Sequence, residues 1–293
     1  MPTMAPTRES QILSGKNIAD NILEEVALQV REIKERHHLS PFLMAIQVGF
    51  DPATQVYLQS QQKMLQKAGI NYNVIELSQD ISTRQLLEII KRVNNDPVVN
   101  GVIVHHPLPE HIDAKKIQWG INPRKDVEGV TPHNLGRLFL GAGGLYPCTA
   151  LSILALIKAT GVDLKGKEVT IVGHSSIVGK PTAMLLLNEE ATVTICHYAT
   201  SERGMLEYHV RNAEILVVAV GIPNLIPGAW IKDGAIVIDA GINRSGGSIV
   251  GDVDFPGALK RAGYITPVPG GVGKVTTAYL VKNTLQAFKA VIK

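Results

Sequence analysis

Apolar positions in the first third of the chain switch between a helical and a strand period. Ile18, Ile22, Val26 and Val30 recur four apart, which predicts one buried stripe on a helix over residues 17–36. Short apolar runs at 42–48, 74–77 and 98–104 predict strands, and the segments 52–68 and 83–93 between them predict helices. This order of elements is typical of a parallel sheet with helices on both faces.

The second half of the chain repeats the pattern after a glycine-rich stretch at 136–146, which predicts a linker. A helix over 151–159 leads into further predicted elements. The predicted strands are 168–172, 192–196, 214–220 and 235–239, and the predicted helices are 181–187, 202–211 and 272–292. We therefore expect two α/β domains with a cleft between them, the second domain holding a Rossmann-type parallel sheet. The expected bounds are 1–147 with 274–293 for the first domain and 148–273 for the second.

Composition excludes several classes of protein. The 293 residues are 45% hydrophobic and 19% charged, which excludes a largely disordered chain. A net charge of +3 gives little support for a nucleic-acid or membrane-surface protein. Two cysteines exclude a disulfide framework and favour a reducing compartment. No apolar stretch reaches the roughly 18 residues of a membrane span. We expect a cytoplasmic protein with a small-molecule substrate and neither a nucleic-acid nor a membrane partner.

Two loops are candidates for binding. Residues 173–179 (Gly-His-Ser-Ser-Ile-Val-Gly) follow a predicted strand and open a helix, where glycines let the backbone approach a phosphate. The spacing is not G-x-G-x-x-G, so a purely structural turn remains an alternative. The acid that usually follows the second strand is absent, and His197 and Tyr198 stand there. Residues 265–273 combine two prolines with three glycines, as either a helix entry or the wall of a ligand cleft.

A series of different short motifs extends in order through almost the whole chain. They are Val48-Gly49 with Tyr57, Pro107-Leu108-Pro109, Lys125-Asp126-Val127-Glu128-Gly129, Pro147-Cys148-Thr149, residues 173–181, residues 192–197, Gly251-Asp252-Val253-Asp254 and residues 266–273. The chain thereby resembles the bifunctional methylenetetrahydrofolate dehydrogenase/methenyltetrahydrofolate cyclohydrolase family, the FolD type. The resemblance implies a folate-binding domain, a Rossmann domain and a homodimer formed through the Rossmann domain. It also implies hydride transfer from 5,10-methylenetetrahydrofolate to NADP or NAD, then hydrolysis of the methenyl product to 10-formyltetrahydrofolate.

The chain departs from the family at the residues that carry the proton chemistry. The family pairs a Tyr with a Lys one helical turn on; here Tyr57 is followed by Gln61. An amide has no proton to exchange near neutral pH. Lys63 does not substitute, since it lies about 120° round the helix from Tyr57. The Gln that contacts the family's Lys is His105 here. The alternative for Gln61 is a solvated residue in a polar run.

The pterin side changes as well. His106 replaces a Leu, and Glu128 replaces the Asp expected to pair with the pterin amino and ring N–H groups. Lys274 replaces a Pro beside the folate loop, although it fits equally well as a solvated residue of the last helix. His105, His106 and His111 do not have the spacing of a metal site, so we expect no metal. The catalytic candidates are Tyr57, Gln61 and His105; the substrate-binding candidates are Thr54, Tyr57, Val104, His105, His106, Glu128, Pro269, Gly270, Gly271 and Lys274.

The residues expected to bind the cofactor do not decide between NADP and NAD. NADP-using members often carry an Arg after the first glycine of the loop and a Ser after the Cys-His pair, where this chain has His174 and Tyr198. Neither carries a permanent charge. The cofactor-binding candidates are Gly173, His174, Ser175, Ile177, Val178, Tyr198, Gly221 and Ile242.

The sequence therefore predicts a folate dehydrogenase whose cyclohydrolase step is weak or lost. Hydride transfer chiefly requires positioning, whereas hydrolysis requires proton transfer. One alternative is a specialised relative acting on a different one-carbon folate or a folate-like ligand. Another is a non-catalytic folate-binding homologue.

Overall fold

The structure, a computed structural model, describes residues 11–49 and 52–292, without the side chains of residues 52–57 and 60. The strands are β1 (Gln11–Ile12), β2 (Phe42–Val48), β3 (Asn71–Leu77), β4 (Gly101–Val104), β5 (Glu168–Val172), β6 (Thr192–Cys196), β7 (Ile215–Val218), β8 (Ile236–Asp239), β9 (Asn243–Ser245), β10 (Ser248–Val250) and β11 (Tyr264–Ile265). The helices are α1 (Lys16–His37), α2 (Pro52–Lys67), α3 (Thr83–Asn95), α4 (Ala114–Gly120), α5 (Pro132–Phe139), α6 (Cys148–Ala159), α7 (Gly179–Asn188), α8 (Tyr198–Glu202), α9 (Leu206–Asn212), α10 (Phe255–Ala258) and α11 (Val272–Lys289).

The chain divides into two compact units. The three-stranded unit contains Ala19–Cys148 and residues 277–292, and the six-stranded unit contains residues 11–18 and Thr149–Thr276. Both units are α/β with parallel main sheets, as the alternation of apolar periods predicts. Each unit is assembled from separate stretches of the chain.

The three-stranded unit is built on a parallel sheet in the order β3-β2-β4. The central strand β2 is buried at six of its seven positions, because neighbouring strands and helices cover it. Helix α3 begins with a capping box in which Ser82 and Gln85 satisfy each other's backbone N–H groups. Its Leu86 and Ile90 are fully buried against the sheet residues of the same core.

The six-stranded unit has the strand order β1-β11-β8-β7-β5-β6, with parallel pairing throughout. After β5 the chain adds β6 on one side and then crosses back to place β7 on the other. In parallel sheets of this kind, ligands bind beyond the carboxyl ends of the strands at such a reversal. The topology thus points to the ends of β5, β6 and β7. A separate antiparallel hairpin, β9–β10, follows β8.

Two predicted elements are wrong. The predicted linker at 136–146 begins inside α5, which Thr131 caps through its hydroxyl and Pro132 opens at the first turn. The predicted helix over 202–211 is instead two short helices, α8 and α9, separated around Gly204. That glycine has φ +68, a left-handed conformation that ends a helix.

Candidate functional site

The glycine loop after β5 has a backbone that only glycine fits. Gly173 has φ +124, and a Cβ built there would lie 2.3 Å from the carbonyl oxygen of Ala219. A Cβ on Gly179 would lie 2.1 Å from the carbonyl oxygen of Gly173. The Ser175 hydroxyl accepts hydrogen bonds from the N–H groups of Val178 at 3.1 Å and Gly179 at 3.3 Å. The loop therefore turns tightly into α7.

A cavity of about 540 Å³ opens beside this loop. It lies at the carboxyl ends of β5, β6 and β7, where the strand order reverses. Its lining residues are Val172, Gly173, His174, Ser175, His197, Tyr198, Ser201, Glu202, Leu206, Ala219, Val220, Ile222 and Leu225. The rings of His174 and His197 are 5.1 Å apart between centroids, and those of His197 and Tyr198 are 5.8 Å apart. Backbone groups and flat rings that meet in one cavity fit a dinucleotide.

A buried carboxylate holds the strand-end loop of this cavity. Asp252 accepts the N–H groups of Val220 at 2.7 Å, Gly221 at 3.0 Å and Ile222 at 3.0 Å. It also accepts the Asn243 side-chain amide at 2.8 Å. Three consecutive backbone donors are thus fixed by one side chain, so Asp252 sets the shape of the loop after β7.

Asp239 supports Asp252 from the end of β8. It accepts the N–H groups of Gly241 at 2.9 Å, Asp252 at 3.0 Å and Val253 at 2.9 Å. Burial raises the pKa of Asp239 to about 6, against the lowering effect of these backbone hydrogen bonds. The two carboxylates together order both ends of the β9–β10 hairpin.

In the three-stranded unit, the predicted proton-transfer position is occupied by a buried amide. Gln61 is 0% exposed, so it is not a solvated residue of the polar run. The Tyr72 hydroxyl donates to its Oε1 at 3.3 Å, and its Nε2 has no hydrogen-bond partner among the described residues. The side chains of Thr54 and Tyr57 lie outside the described residues, so their predicted roles stay predictions.

His105 follows β4 and is buried, with its backbone N–H donating to the Ile46 carbonyl at 2.9 Å. Burial, and secondarily the neighbouring His106, lowers the pKa of His105 to about 4. Its imidazole is therefore neutral near pH 7. Val104, the last residue of β4, is also buried, whereas His106 is exposed.

Glu128 lies in a loop organised by a third buried carboxylate. Asp126 is fully buried and accepts the N–H groups of Gly129 at 3.0 Å and Thr131 at 2.7 Å, with the Asn134 side-chain amide at 2.8 Å. Burial, and then the Asp126 charge, raises the pKa of Glu128 to about 8. Near pH 7, Glu128 is mostly a neutral acid that can donate one hydrogen bond.

The proline-glycine loop belongs to the six-stranded unit. The Val268–Pro269 peptide is cis, Gly270 has φ +114, and the Gly271 N–H donates to the Pro267 carbonyl at 2.8 Å. A Cβ on Gly15 would lie 2.2 Å from the Gly271 carbonyl oxygen, so this loop is packed against the start of α1. Pro269 and Lys274 are exposed.

Comparison with known proteins identifies the family. The model for the tetrahydrofolate dehydrogenase/cyclohydrolase catalytic domain matches residues 13–128, and the model for its NAD(P)-binding domain matches residues 147–292. The chain belongs to the tetrahydrofolate dehydrogenase/cyclohydrolase family.

Relatives cover this family member almost end to end. The bifunctional protein FolD of Magnetococcus marinus is 44% identical, over 96% of this chain and 98% of its own. The bifunctional FolD structure from Campylobacter jejuni has a TM-score of 0.92 at 41% identity, covering 97% of this chain and all of that one. The Trypanosoma brucei FolD structure, complexed with NADP cofactor and inhibitor, has a TM-score of 0.91 at 37% identity and covers 99% of both chains.

In this family member, the predicted cofactor residues fall into two groups. Gly173, His174, Ser175 and Tyr198 line the cavity. Ile177 and Ile242 are exposed beyond its lining, Val178 caps α7, and the N–H of Gly221 bonds to Asp252.

Sequence reasoning missed Glu202 and the two carboxylates that shape the cavity. Tyr198 and Glu202 are four residues apart, so recognising α8 would have placed both on one helical face. Nothing in the local sequence shows that Asp239 and Asp252 meet. Among the described residues, no helix is long and apolar enough to cross a membrane, and no cluster of three metal-ligating side chains is present.

Proposed function

We propose that the chain oxidises 5,10-methylenetetrahydrofolate to the 5,10-methenyl form with NAD(P), and that hydrolysis to 10-formyltetrahydrofolate is weak or absent. The observation that carries the proposal is Gln61, a fully buried neutral amide where the resemblance implies a lysine. An amide neither releases nor takes up a proton near neutral pH. The two bifunctional relatives named above support the dehydrogenase activity. The proposed loss of cyclohydrolase activity is a difference from what their names state.

Oxidation depends on holding two ligands in place. When bound, the nicotinamide accepts the hydride from the one-carbon bridge. The chain contributes the glycine-lined loop, the ring-walled cavity and the loop after β7 that Asp252 holds. None of these groups has to exchange a proton, so the changes at Gln61 and His105 leave this step intact.

Hydrolysis depends on activating water, and the second altered residue does not supply the missing base. His105, the second altered residue, has a pKa of about 4 because it is buried and lies beside His106. So low a pKa makes it a weak base for drawing a proton from water at neutral pH. The two substitutions therefore remove proton transfer together.

Folate recognition is assigned to the residues that the resemblance implies. We place the pterin against Glu128 and the strand-end residues Val104, His105 and His106, with Thr54 and Tyr57 from α2. Pro269, Gly270, Gly271 and Lys274 complete the proposed set. In domain terms, the three-stranded unit is the proposed folate-binding catalytic domain and the six-stranded unit the proposed NAD(P)-binding domain. The predicted bounds, 1–147 with 274–293 and 148–273, differ from these units at residues 11–18, at Cys148 and at 274–276. A cytoplasmic homodimer paired through the latter is the accompanying proposal, which sedimentation of the purified chain would test.

The test supplies methylenetetrahydrofolate with NAD+ or NADP+ and follows reduced cofactor and methenyl product together. We expect the methenyl form to accumulate in step with reduced cofactor and to decay only at the rate seen without protein. Protein-dependent loss of the methenyl form at a rate comparable to its production would contradict the proposal.

A matched pair of variants sharpens the test. Gln61→Lys combined with His105→Gln restores both altered groups and should raise methenyl hydrolysis at least about tenfold. Gln61→Met, of similar length but without an ionisable group, should leave hydrolysis at its starting level. If the restored variant gains nothing while it still oxidises substrate, another base operates.

The three altered pterin-side positions, His106, Glu128 and Lys274, also favour a second candidate, a relative specialised for a different one-carbon folate. Equilibrium titration with tetrahydrofolate and its 5-formyl and 10-formyl derivatives separates the two. Preference for a formyl derivative, with no oxidation of the methylene form, would favour the second candidate.

A further inference from the structure

The charge of the cavity in the six-stranded unit is unusual for a site that would bind a ribose 2′-phosphate. Glu202 is its single acidic lining residue, and its lining contains neither Lys nor Arg. Lys180 and Arg203, near the lining residues in sequence, are exposed and do not contribute to it. A ribose 2′-phosphate carries close to two negative charges and normally requires a guanidinium or ammonium partner.

Glu202 stands where a ribose acid is needed. The acid that accepts a ribose hydroxyl in dinucleotide-binding sheets lies near the end of the second strand. Here that strand is β6, and it is followed by His197 and Tyr198. Helix α8 starts at Tyr198 and ends at Glu202, which brings the carboxylate back to the cavity one turn later.

The neighbouring rings mark this end of the cavity as the adenosine end. His174, His197 and Tyr198 follow one another at centroid distances of 5.1 and 5.8 Å. Flat rings of this kind stack against a purine. The Nδ1 atom of His197 is buried and has no hydrogen-bond partner among the described residues, which leaves one polar atom for a ligand.

We infer that this cavity selects NAD+ over NADP+, and that Glu202 determines the preference by accepting ribose hydroxyls and repelling a 2′-phosphate. The inference rests on the proposed function, because it names the cofactor of the proposed oxidation. Tyr198 and Glu202 lie on the same face of α8, so the ring and the carboxylate act on the same nucleoside.

The first experiment measures binding without folate. The full chain is titrated with NADH and with NADPH, using the fluorescence of the reduced nicotinamide. We expect NADH to bind at least about tenfold more tightly, a difference of about 1.4 kcal/mol. Equal or tighter binding of NADPH, or no binding of either, would overturn the inference.

The second experiment tests Glu202 itself. Glu202→Gln keeps the shape and removes the charge, and should reduce the NADH preference at least about fivefold, partly through tighter NADPH binding. The control, Glu189→Gln, removes a carboxylate that pairs with Lys158 at 2.7 Å outside the cavity. It should leave the preference unchanged. An unchanged ratio in Glu202→Gln would remove Glu202 from the explanation.

Failure of the proposed function is distinguishable from failure of the inference. NADH preference without oxidation of methylenetetrahydrofolate would refute the proposed function and leave the cofactor inference standing. Oxidation of methylenetetrahydrofolate by a chain that binds NADPH more tightly than NADH would refute the cofactor inference and leave the proposed function standing.

Discussion

The two units share one device for ordering loops and differ in the groups that occupy their candidate sites. In the six-stranded unit, buried carboxylates point at backbone N–H groups, as Asp252 does with three consecutive donors. In the three-stranded unit, the buried Asp126 does the same for Gly129 and Thr131. The candidate site beside it differs, because Gln61 is buried with an Nε2 that has no partner among the described residues, and the pKa of Glu128 is raised. A site made of backbone is constrained by geometry, whereas a site made of side chains can change its chemistry while the fold persists. The following predictions test that contrast.

The largest effect should come from filling the glycine loop. Gly173→Ala forces a Cβ to within 2.3 Å of the Ala219 carbonyl at φ +124, and should reduce the free energy of unfolding of the six-stranded unit by about 3–5 kcal/mol. Trp230 lies in this unit and Trp119 in the other, so a Trp119→Phe background isolates its unfolding in denaturant. Gly204→Ala, with a left-handed φ but open space around it, should cost only about 1 kcal/mol. Equal losses in the two variants would show that the close approach in the loop is unimportant.

The next largest effect should come from Asp252→Asn. The amide replaces an oxygen that accepts backbone hydrogens, so we expect a loss of about 2–4 kcal/mol and weaker NADH binding. Asp254→Asn is the control: Asp254 accepts the Gly257 N–H at 3.2 Å and the Gly228 N–H at 3.3 Å, one on each oxygen, so Asn keeps the helix cap and loses one bond, at a cost of about 1 kcal/mol. If both variants bind NADH as the parent does, Asp252 does not shape the cavity.

Glu128→Gln should change how stability depends on pH. The folded-state pKa of Glu128 is about 8, above the roughly 4.3 of an unfolded chain, so folding takes up a proton between these values. The parent should therefore lose stability relative to the variant as pH rises from about 4.5 to about 8, by roughly 1–3 kcal/mol, since Glu128 is only partly buried.

His105 acts in the opposite direction, because its lowered pKa removes stability as pH falls from about 6.5 towards about 4. It is present in both proteins, so its contribution cancels in the difference. Denaturation midpoints of the three-stranded unit, read from Trp119 across this range, provide the measurement. Parallel profiles for parent and variant would contradict the raised pKa of Glu128.

The smallest effect should come from Gln61→Met, and its sign is informative. Removing a buried amide nitrogen that has no partner among the described residues should leave the unit as stable or stabilise it by up to about 1 kcal/mol. Asn134→Leu removes a buried amide that donates to Pro123 at 2.9 Å and Asp126 at 2.8 Å, and should cost about 2–3 kcal/mol. A loss at Gln61 as large as that at Asn134 would mean that its amide is as well paired.

Apolar patterning predicted the buried strands well. The predicted bounds of β2, β5 and β6 match the structure. β2 and β5 are mostly buried and mostly apolar, whereas β6 lies at the edge of its sheet and alternates threonine with apolar residues. Apolar patterning failed for α5 and for the break between α8 and α9. Helices of one or two turns offer too few apolar positions to show a period. The start of α5 is set by its cap, and the end of α8 by a single left-handed glycine.

The candidate site was predictable where it depends on local sequence. The glycine loop and the ends of β4 and β6 followed from strand-turn-helix order. Glu202 was missed because the predicted helix began at residue 202, whereas α8 begins at Tyr198 and ends at Glu202. Asp239 and Asp252 were missed because their pairing depends on the hairpin between them, which brings distant backbone amides together.

The two-residue strand β1 completes the six-stranded sheet only when two stretches about 250 residues apart in the chain meet. Gln11 and Ile12 pair with Tyr264 and Ile265, at the edge of the sheet. Helix α11 contributes residues 277–289 to the three-stranded unit. The three-stranded unit therefore cannot be completed during synthesis until residues 277–289 have emerged, whereas the six-stranded unit needs the chain only as far as Thr276. The order of synthesis couples the two units: a chain truncated within its last helix would leave the three-stranded unit incomplete, whereas one truncated before β11 would leave both unfinished.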